Sequence, residues 1–561
     1  MVEVLCDVSY HRTGRRGGGD CAVVPAHDHR CHVCAAVINE ILPRRPICSR
    51  SLSGVIFKHF VRSVSVMATP ALTNNSYETA VSQLNALQSN AATIQMLRKK
   101  RGFFQGANLV ETAAFMERCN IKLDDVDKLN VIHVSGTKGK GSTCAFTESI
   151  LRRLGYKTGF YSSPHLVQVR ERIRINGRPL SESAFAKYFF TVYERLQKEA
   201  AVDGAMPAYF KFLTLMAFHV FIEEKVDVAI IEVGIGGEHD CTNIVRKPVV
   251  CGVTTLDIDH TSLLGSTIEE IAWQKAGIFK PGSVAIVADQ TEQTMRVMTS
   301  RAIERKCRLR VAPSFEAYDW PCQEVEIGIP GQHQYWNVTL AMQLSKAWLE
   351  RMHAAGMVFQ KDENEMPARG SVLPGFRVPD EFLDGIRLCE WPGRSQVLKL
   401  DSVTYFLDGA HTPRSLQCCA EWYKWERERV NQRLRSKPLR VLLFHCTADR
   451  TPESLLPFLK DCNFDVALFC PTRVRPVLDM RSDQANLNHS EQEQRQRVEH
   501  NMVVWKQLTG EETHAEHFDC ITAAIEKIEA MKSRKGHEVE VLVTGSLHLV
   551  GGVLALIQPH S

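Results

Sequence analysis

The hydrophobic positions of the chain alternate between short continuous runs and helical spacing. The short runs predict buried strands at 131–134, 157–161, 226–231, 249–253 and 284–287. Apolar residues recur at helical spacing over 77–97, 107–118, 143–154, 182–198, 210–223 and 336–352. Because apolar strands that alternate with helices are typical of parallel sheets covered on both faces, the pattern predicts an α/β fold.

A second α/β pattern begins near residue 386. Its predicted strands cover 403–407, 439–445, 465–470 and 539–544, with helices after Pro413 and near Pro452. Residues 354–384 mix glycine, proline and charges without a period, which is typical of a linker. The length of 561 residues exceeds one ordinary core. We therefore predict a leader at 1–66, a first α/β domain at 67–353, the linker at 354–384, and a smaller, Rossmann-like α/β domain at 385–561.

The amino-acid composition of the chain limits which partners and surroundings are expected. Hydrophobic residues make up 44% of the chain, charged residues 24%, and the formal net charge is only +4. These values are ordinary for a globular protein and give no reason to expect a nucleic-acid partner. The eighteen cysteines follow no disulfide spacing, so we expect reduced thiols. Since no apolar stretch is long enough to span a bilayer, we expect no membrane insertion.

The first 66 residues differ from the rest. Residues 41–77 contain no Asp or Glu, and their basic residues are interleaved with apolar residues and serine, as in mitochondrial transit peptides. A second start at Met67 would leave a cytosolic form, so we expect both locations. The alternative is an untargeted tail, because Glu3 and Asp7 depart from the pattern. The motif Cys31-His32-Val33-Cys34 has no second pair at zinc-finger spacing, so we expect no metal site there.

A glycine-rich turn directly after the strand at 131–134 is the strongest chemical signal. Glycines let the backbone approach an anion, and the following helix N-terminus offers unpaired N–H groups. This order predicts a P-loop-like phosphate cradle in which Lys140 reaches phosphates and Ser142 binds Mg²⁺. The spacing is two residues shorter than the usual nucleotide loop, and the alternative is a plain surface turn. The cradle consists of Gly136, Thr137, Lys138, Gly139, Lys140, Gly141 and Ser142.

Further candidates follow the other strands of the first half. Glu232 stands where a buried strand breaks into a glycine-rich turn, so it is placed to bind Mg²⁺ or to cap the turn. The acidic stretch 257–260 could supply another ligand, and His260 there is either a ligand or structural. Lys275 lies on a largely apolar helix. It could be carbamylated by CO₂ and hold a second Mg²⁺, or it could extend its amine to solvent.

Two further segments carry charge. In the segment 163–175, arginines alternate with apolar residues, which predicts an extended edge with its arginines on one face. Such a face suits an acidic ligand, although a solvated charged face is the common alternative. In the second half, Arg394 stands in the motif 391–394, Asp408 at a predicted strand end, and His411 at the N-terminus of the following helix. They make sense together if the two domains close over one nucleotide and supply charge to its γ-phosphate.

Taken in order, these motifs resemble folylpolyglutamate synthases, in the Mur ligase superfamily, from about Met67 to the C-terminus. The motifs are GTKGKGS (136–142), SPHLVQVRERIRING (163–177), EVGIGG (232–237), DHTSLLG (259–265), IAWQKAGIFKPG (271–282), GQHQYWN (331–337), WPGR (391–394), LDGAH (407–411) and TGSLHLVGG (544–552). The leader followed by Met67 is similar to the eukaryotic form. The chain departs from the family at 445–451 and at Glu238-His239, so the glutamate pocket stays unassigned.

The resemblance implies an ATP-dependent ligase. The γ-carboxylate of a folate attacks the γ-phosphate of ATP, and glutamate then attacks the acyl phosphate. ATP and two Mg²⁺ ions are implied, with a monovalent cation such as K⁺ compatible, in a monomer. The implied roles are phosphate binding by Lys140, metal binding by Ser142, Glu232, His260 and carbamylated Lys275, adenine contact by Asn337, and completion of the ATP site by Arg394, Asp408 and His411. The implied folate loop contains Ser163, Pro164, His165, Arg170 and Arg172.

Three alternatives remain at this stage. A bifunctional dihydrofolate and folylpolyglutamate synthase would share every nucleotide motif. A kinase or nucleotide switch would not need Arg394 and His411. A homologue that only binds its ligands is disfavoured, since Lys140, Glu232 and Lys275 are all present.

Overall fold

The computed structural model describes residues 75–88, 107–203, 206–352, 370–431, 437–446, 450–477, 479–485, 491–510, 513–533 and 538–558. All of them belong to one compact unit, Thr69–Ser561. The predicted leader at 1–66 lies outside the described residues, as does most of the predicted linker. Within these ranges, no helix has both the length and the apolar character needed to cross a membrane.

Two sheets organise the described residues. The first has eight strands in the order β4-β3-β2-β5-β1-β6-β7-β8. Its strands are β1 Ile132–Ser135, β2 Thr158–Tyr161, β3 Ile173–Ile175, β4 Arg178–Pro179, β5 Val228–Glu232, β6 Val250–Val253, β7 Val284–Val287 and β8 Arg308–Val311. The second has six strands in the order β13-β12-β11-β14-β10-β9. Its strands are β9 Gln396–Leu400, β10 Val403–Leu407, β11 Leu439–Phe444, β12 Val466–Phe469, β13 His514–His517 and β14 Val539–Thr544.

Helices cover both sheets. Those that accompany the first sheet are Tyr77–Ala86, Ala107–Arg118, Leu123–Asp127, Lys140–Arg153, Glu182–Asp203, Tyr209–Glu223, Thr261–Leu264, Ile268–Lys275, Glu292–Glu304, Gln334–Arg351 and Asp380–Arg387. Those that accompany the second are Pro413–Asn431, Pro452–Leu455, Pro457–Lys460, Glu491–Thr509, Ile521–Ser533 and Leu547–Ile557. Short 3₁₀ helices occur at Val169–Arg172, Cys241–Ile244, Ala276–Ile278 and Phe315–Ala317.

The predicted fold class is confirmed, with differences at the sheet edges. Strands β1, β2, β5, β6, β7 and β8 pair in parallel, whereas β3 and β4 pair antiparallel at one edge and β9 does so in the second sheet. Residues 380–384, expected in the linker, begin a helix whose Gly385 packs against Ile150 of the first sheet's helix. The domain boundaries themselves stay a prediction.

The parallel register explains where side chains collect. Strand β1 lies between β5 and β6, with Val134 beside Glu232 and Ser135 beside Val253. These strands are buried along their whole length, as continuous apolar runs require. Because parallel strands end at one edge of the sheet, the segments after them meet there. That edge carries the residues described next.

Candidate active site

The turn after β1 has a backbone that only glycine fits. Gly136 has φ 145° and Gly139 has φ 85°, conformations that other residues rarely adopt. A Cβ at Gly136 would lie 1.8 Å from Thr254 Oγ1, and one at Gly139 would lie 2.0 Å from Asn337 Oδ1. The helix Lys140–Arg153 starts immediately afterwards, so its first N–H groups face the space beside the turn. A strand, a close-packed glycine turn and a helix N-terminus form an anion cradle.

The rest of the turn is fixed to the end of β6. The backbone N–H groups of Thr137 and Lys138 both donate to Thr255 O at 3.1 Å. The Thr137 hydroxyl donates to the Asp257 carbonyl at 3.1 Å. The remaining N–H groups, at the start of the helix, are those that can face a ligand.

Lys138 connects the two sheets. Its Nζ donates to Asp259 Oδ2 at 3.0 Å and lies 2.9 Å from His411 Nε2, which follows β10. Arg450, after β11, donates from Nη2 to Asp259 Oδ1 at 3.2 Å. Burial lowers the pKa of the Lys138 ammonium to about 8, with the Asp259 charge opposing the shift. The phosphate turn is therefore joined to β10 of the second sheet through His411 and to β11 through the charged pair of Asp259 and Arg450.

Glu232 is buried at the end of β5, beside the cradle. Its Oε2 accepts a hydrogen bond from Ser163 N at 3.1 Å. Burial raises the pKa of this carboxyl, while the charges of Lys140 and Arg394 oppose the rise. Among the described residues, no three His, Cys, Asp or Glu side chains converge on one metal-binding point. Mg²⁺ needs only one or two protein ligands when phosphates and waters supply the others, so Glu232 and the buried Ser142 fit that ion.

Lys275 is buried near Lys140, whereas His260, the residue after Asp259, is exposed. Lys275 is 3% exposed, and its Nζ donates to Gly136 O at 2.7 Å, so the alternative in which its amine extends to solvent is wrong. Burial, reinforced by the Lys140 charge, holds its pKa well below the ordinary value. Desolvation by the surrounding residues also lowers the pKa of His260 to about 4, with the Asp259 charge opposing the shift and the charges of Lys140 and Lys275 contributing to it. A neutral imidazole can bind a cation, and a neutral amine is the form that attacks CO₂ to give a carbamate, so these two residues fit a second cation site.

The second sheet contributes Arg394, Asp408 and His411. Asp408, at the end of β10, accepts from Ser395 N at 2.8 Å and from Ala410 N at 2.9 Å, which folds the two motifs onto each other. Arg394 is half-buried beside Gly409, and desolvation lowers the pKa of its guanidinium, opposed by the charges of Asp408 and Glu232. The charges of Arg394 and Glu232 influence each other's pKa, so this arginine lies close enough to act on an anion bound at the cradle.

Trp391 completes the contact between the sheets. A Cβ at Gly141 would lie 3.1 Å from its indole Nε1, so this tryptophan packs on the phosphate turn. Its ring stacks on Phe160 with centroids 5.3 Å apart, and the Arg174 guanidinium lies 4.8 Å from its centroid. The apolar and cationic contacts together fix the position of the 391–394 motif over the first sheet.

A cavity of about 1750 Å³ opens beside these residues. Its volume exceeds what a drug-sized ligand requires. Residues of both sheets line it, among them Gly331, His333, Tyr335, Trp391, Arg394 and Ser395. Asn337, for which contact with adenine stays a prediction, lies against the cradle at Gly139. Its Nδ2 donates to Gln334 Oε1 at 2.8 Å, and its Oδ1 accepts from Thr143 Oγ1 at 3.4 Å.

The expected extended edge is present at strand β3, Ile173–Ile175, which carries Arg174, but the expectation is wrong for Val169–Arg172. Residues Val169–Arg172 form a 3₁₀ helix because Glu171 accepts from the backbone N–H groups of residues 166, 167 and 168 at 2.7–3.0 Å. Arg170 turns away to Leu180 O at 3.0 Å, whereas Arg172 is buried and donates to His165 Nδ1 at 3.0 Å. Ser163 and Pro164 lie beside Glu232, joined to it by the Ser163 N–H.

This loop is held by the second sheet, which the sequence does not predict. Asp483 accepts from Val169 N at 2.7 Å and from Tyr77 Oη at 2.6 Å. Gln484 donates to Leu166 O at 2.9 Å and to Val167 O at 2.7 Å. Asp483 and Gln484 lie in a polar stretch with no motif, so sequence patterns carry no signal for them. The ion pair between Arg450 and Asp259 was not predicted either. Asp259 lies in the motif 259–265, and Arg450 lies in the segment 445–451, where the chain departs from the family.

The two-sheet fold, with a phosphate turn on one sheet facing charged side chains of the other, defines a nucleotide-dependent enzyme of the Mur ligase class. A family model described as "Dihydrofolate synthetase, C-terminal domain" matches residues 395–556. The putative folylpolyglutamate synthase of Caenorhabditis elegans is 47% identical over 488 residues, covering 86% of this chain and 92% of the relative. The mitochondrial folylpolyglutamate synthase of Homo sapiens is 41% identical over 561 residues, covering 89% and 94%. The chain belongs to the folylpolyglutamate synthase family.

Solved structures share the fold. The Mycobacterium tuberculosis folylpolyglutamate synthase complexed with ADP superposes with a TM-score of 0.63 at 20% identity, covering 86% of this chain and 99% of that one. E. coli FolC in complex with DHPP and ADP superposes with a TM-score of 0.57 at 26% identity, covering 84% and 99%. The resemblance inferred from the sequence motifs is thereby confirmed.

Proposed function

We propose that the chain is an ATP-dependent ligase that joins L-glutamate to the γ-carboxylate of tetrahydrofolate and its polyglutamates through an acyl phosphate. The observation that carries the proposal is the contact of the phosphate-turn residue Lys138 with His411 of the second sheet, at 2.9 Å. A nucleotide held by that turn faces cationic groups from both sheets. Relatives of this family were solved with ADP, with AMPPCP and with folate, which supports both substrates.

The chain's own residues supply charge and exclude water. A folate carboxylate must approach the triphosphate, and two anions in one cleft repel each other. Lys140 and Arg394 reduce that repulsion, and Arg394 does so from a half-buried position where its charge is less screened than at the open surface. The contacts of Trp391 and Lys138 across the sheets close the cleft, which protects an acyl phosphate from hydrolysis.

Two cation sites are part of the proposal. Ser142 and Glu232 would hold one Mg²⁺, and His260 with carbamylated Lys275 would hold the other. Mg²⁺ bound there would neutralise phosphate charge and favour attack at phosphorus. A monovalent cation such as K⁺ is compatible with this scheme, and the enzyme is expected to act as a monomer.

The decisive test is incorporation of labelled glutamate. The full chain is incubated with Mg-ATP, tetrahydrofolate and labelled glutamate, and we expect label in a longer folate together with one ADP per bond formed. Lys140→Ala should abolish the transfer, because it removes the cradle's phosphate-facing cation. Lys460→Ala, at an exposed lysine of the second sheet's layer, is the matched control. ATP turnover that depends on neither folate nor glutamate would refute the proposal.

A second candidate is glutamate addition to dihydropteroate. It is favoured by the family model over 395–556, which is named for dihydrofolate synthetase, and by the likeness to E. coli FolC. The same assay with dihydropteroate as the sole acceptor decides it, since only this activity would yield labelled dihydrofolate.

We also propose two locations. The human and bovine relatives are named mitochondrial, and the basic leader supports import of the product that starts at Met1 into the matrix. Translation from Met67 would give the cytosolic form. Tagging each product at its C-terminus and imaging cells tests this, and an exclusively cytosolic Met1 product would contradict the import signal.

A further inference from the structure

Asp259 is the meeting point of three segments that are distant in sequence. It follows β6, and its side chain is only 9% exposed. One carboxylate oxygen accepts from Lys138 of the phosphate turn at 3.0 Å. The other accepts from Arg450, after β11 of the second sheet, at 3.2 Å, and from the backbone N–H of His260 at 2.9 Å. Both oxygens are therefore engaged by protein donors.

The contact between Lys138 and His411 has a defined polarity. His411 Nδ1 lies 2.6 Å from Gly409 O. A carbonyl only accepts, so Nδ1 carries the proton and Nε2 is left as an acceptor. Nε2 then accepts from Lys138 Nζ at 2.9 Å. The 3.7 Å between Nε2 and Asp259 Oδ2 is too long for a hydrogen bond. Lys138 is thus held between one acceptor from each sheet.

We propose that Asp259 is a positioning residue for nucleotide activation. It holds the Lys138 ammonium at the cradle and, through Arg450, makes that position depend on contact between the two sheets. This inference rests on the proposed ligase function. A lysine has a long flexible stem and a single point charge, so it needs a fixed anion to orient it. Without Asp259, Lys138 loses the contact that directs it.

A role for Asp259 as a cation ligand is the competing explanation, because His260 is its neighbour. A ligand carboxylate needs a lone pair free for the ion, and three of the roughly four on Asp259 already accept from Lys138, Arg450 and a backbone N–H. The ion pairs place its carboxylate among cations, and a bound Mg²⁺ would have to displace them. The two roles predict different dependence on Mg²⁺.

The test compares Asp259→Asn, Asp259→Glu, Arg450→Gln and the double variant Asp259→Asn/Arg450→Gln in the full chain. Asp125→Asn is the matched control, because Asp125 forms a Lys–Asp pair of 2.8 Å with Lys128 on the exposed surface. The assay gives kcat and the KM values for ATP, folate and glutamate at several Mg²⁺ concentrations. Thermal unfolding of each variant is recorded alongside.

We expect Asp259→Asn to lower kcat by about tenfold to a hundredfold, as small misplacements of a reacting group do. Asp259→Glu should recover part of that loss, and the double variant should be no slower than the slower single variant, because both act through one contact. Full kcat in Asp259→Asn, or additive losses in the double variant, would overturn the proposal. So would a loss that high Mg²⁺ restores, which would make Asp259 a metal ligand. Absence of folate-dependent turnover in the unmodified chain is a separate result that refutes the ligase function itself.

Discussion

Leu166→Ala tests whether the second sheet holds the loop after β2. Leu166 belongs to that loop, yet its side chain is 8% exposed within the hydrophobic core of the second sheet. A Cβ at Gly551 would lie 1.7 Å from Leu166 O, and one at Gly393 would lie 2.8 Å from Leu166 Cδ1. The loop therefore fits against two glycines, with no spare space on either side.

The expected magnitude follows from this burial. Replacing a buried leucine by alanine costs about 2–5 kcal/mol in unfolding free energy, and more where the surroundings cannot relax. The backbone at Gly551 cannot move in to fill the space that Leu166→Ala would leave, which raises the cost. However, Leu166 lies between the layers of the two sheets, where small shifts can fill part of the space, so the cost stays near the lower end of the range. We expect a loss of about 2–3 kcal/mol and a raised KM for folate, because the displaced loop also carries Ser163, which bonds Glu232.

Urea titration followed by tryptophan fluorescence and by circular dichroism measures the loss. Val477→Ala is the control, because Val477 is an apolar side chain of the second sheet's layer that is 80% exposed. It removes a similar apolar group without removing a packing contact. If Leu166→Ala and Val477→Ala unfold at the same urea concentration, the contact does not hold the loop and the reasoning fails.

Three other outcomes are expected. Gly139→Ala should weaken ADP binding in calorimetry by about tenfold, since a left-handed non-glycine residue alone costs about 1–2 kcal/mol. Its matched control is Gly282→Ala, because Gly282 has a similar φ of 79° but a Cβ there would have no neighbour within 4 Å. Equal weakening of ADP binding in both variants would exclude the Asn337 contact as the cause. Burial holds the Lys138 pKa at about 8, so kcat/KM for ATP should fall as pH rises through that value, when the amine loses its charge. Lys138→Arg should remove this limb, and a limb that persists would assign it to another group. Labelled bicarbonate should give a carbamate signal by NMR in the unmodified chain that Lys275→Arg lacks. A signal in both would place the carbamate elsewhere.

The strand, turn and helix around Lys140 could be predicted because each depends on local sequence. Each of the three patterns, which are an apolar run, a group of glycines and a helical period, is contained within about twenty residues of sequence. The burial of Glu232 and Lys275 follows the same logic, since each ends or interrupts an apolar element. Shared motifs then indicated the family that the relatives confirm.

The segment 163–175 shows why the rest could not be predicted. Alternating arginines match a strand, and Ile173–Ile175 do form one, but over Val169–Arg172 the chain forms a 3₁₀ turn because the Glu171 carboxylate accepts from three successive backbone N–H groups. Asp483, which accepts from Val169 N, lies 314 positions away along the chain. Neither the hydrogen bonds of one glutamate nor a partner far along the chain leaves a periodic signal in the sequence. These contacts decide the conformation of the segment against its local strand pattern.

The hydrogen bond from Tyr77 to Asp483 joins residues 406 positions apart. The helix Tyr77–Ala86 makes further bonds to the same segment through Asn85, which donates to the carbonyls of residues 480 and 482. During synthesis this helix leaves the ribosome long before its partners exist, and closing so long a loop is slow. Its polar partners arrive only after most of the second sheet has been made. The earliest described helix of the chain is thus among the last elements to complete its bonds, and a chain truncated before residue 480 would leave it unsatisfied and exposed to chaperones and proteases.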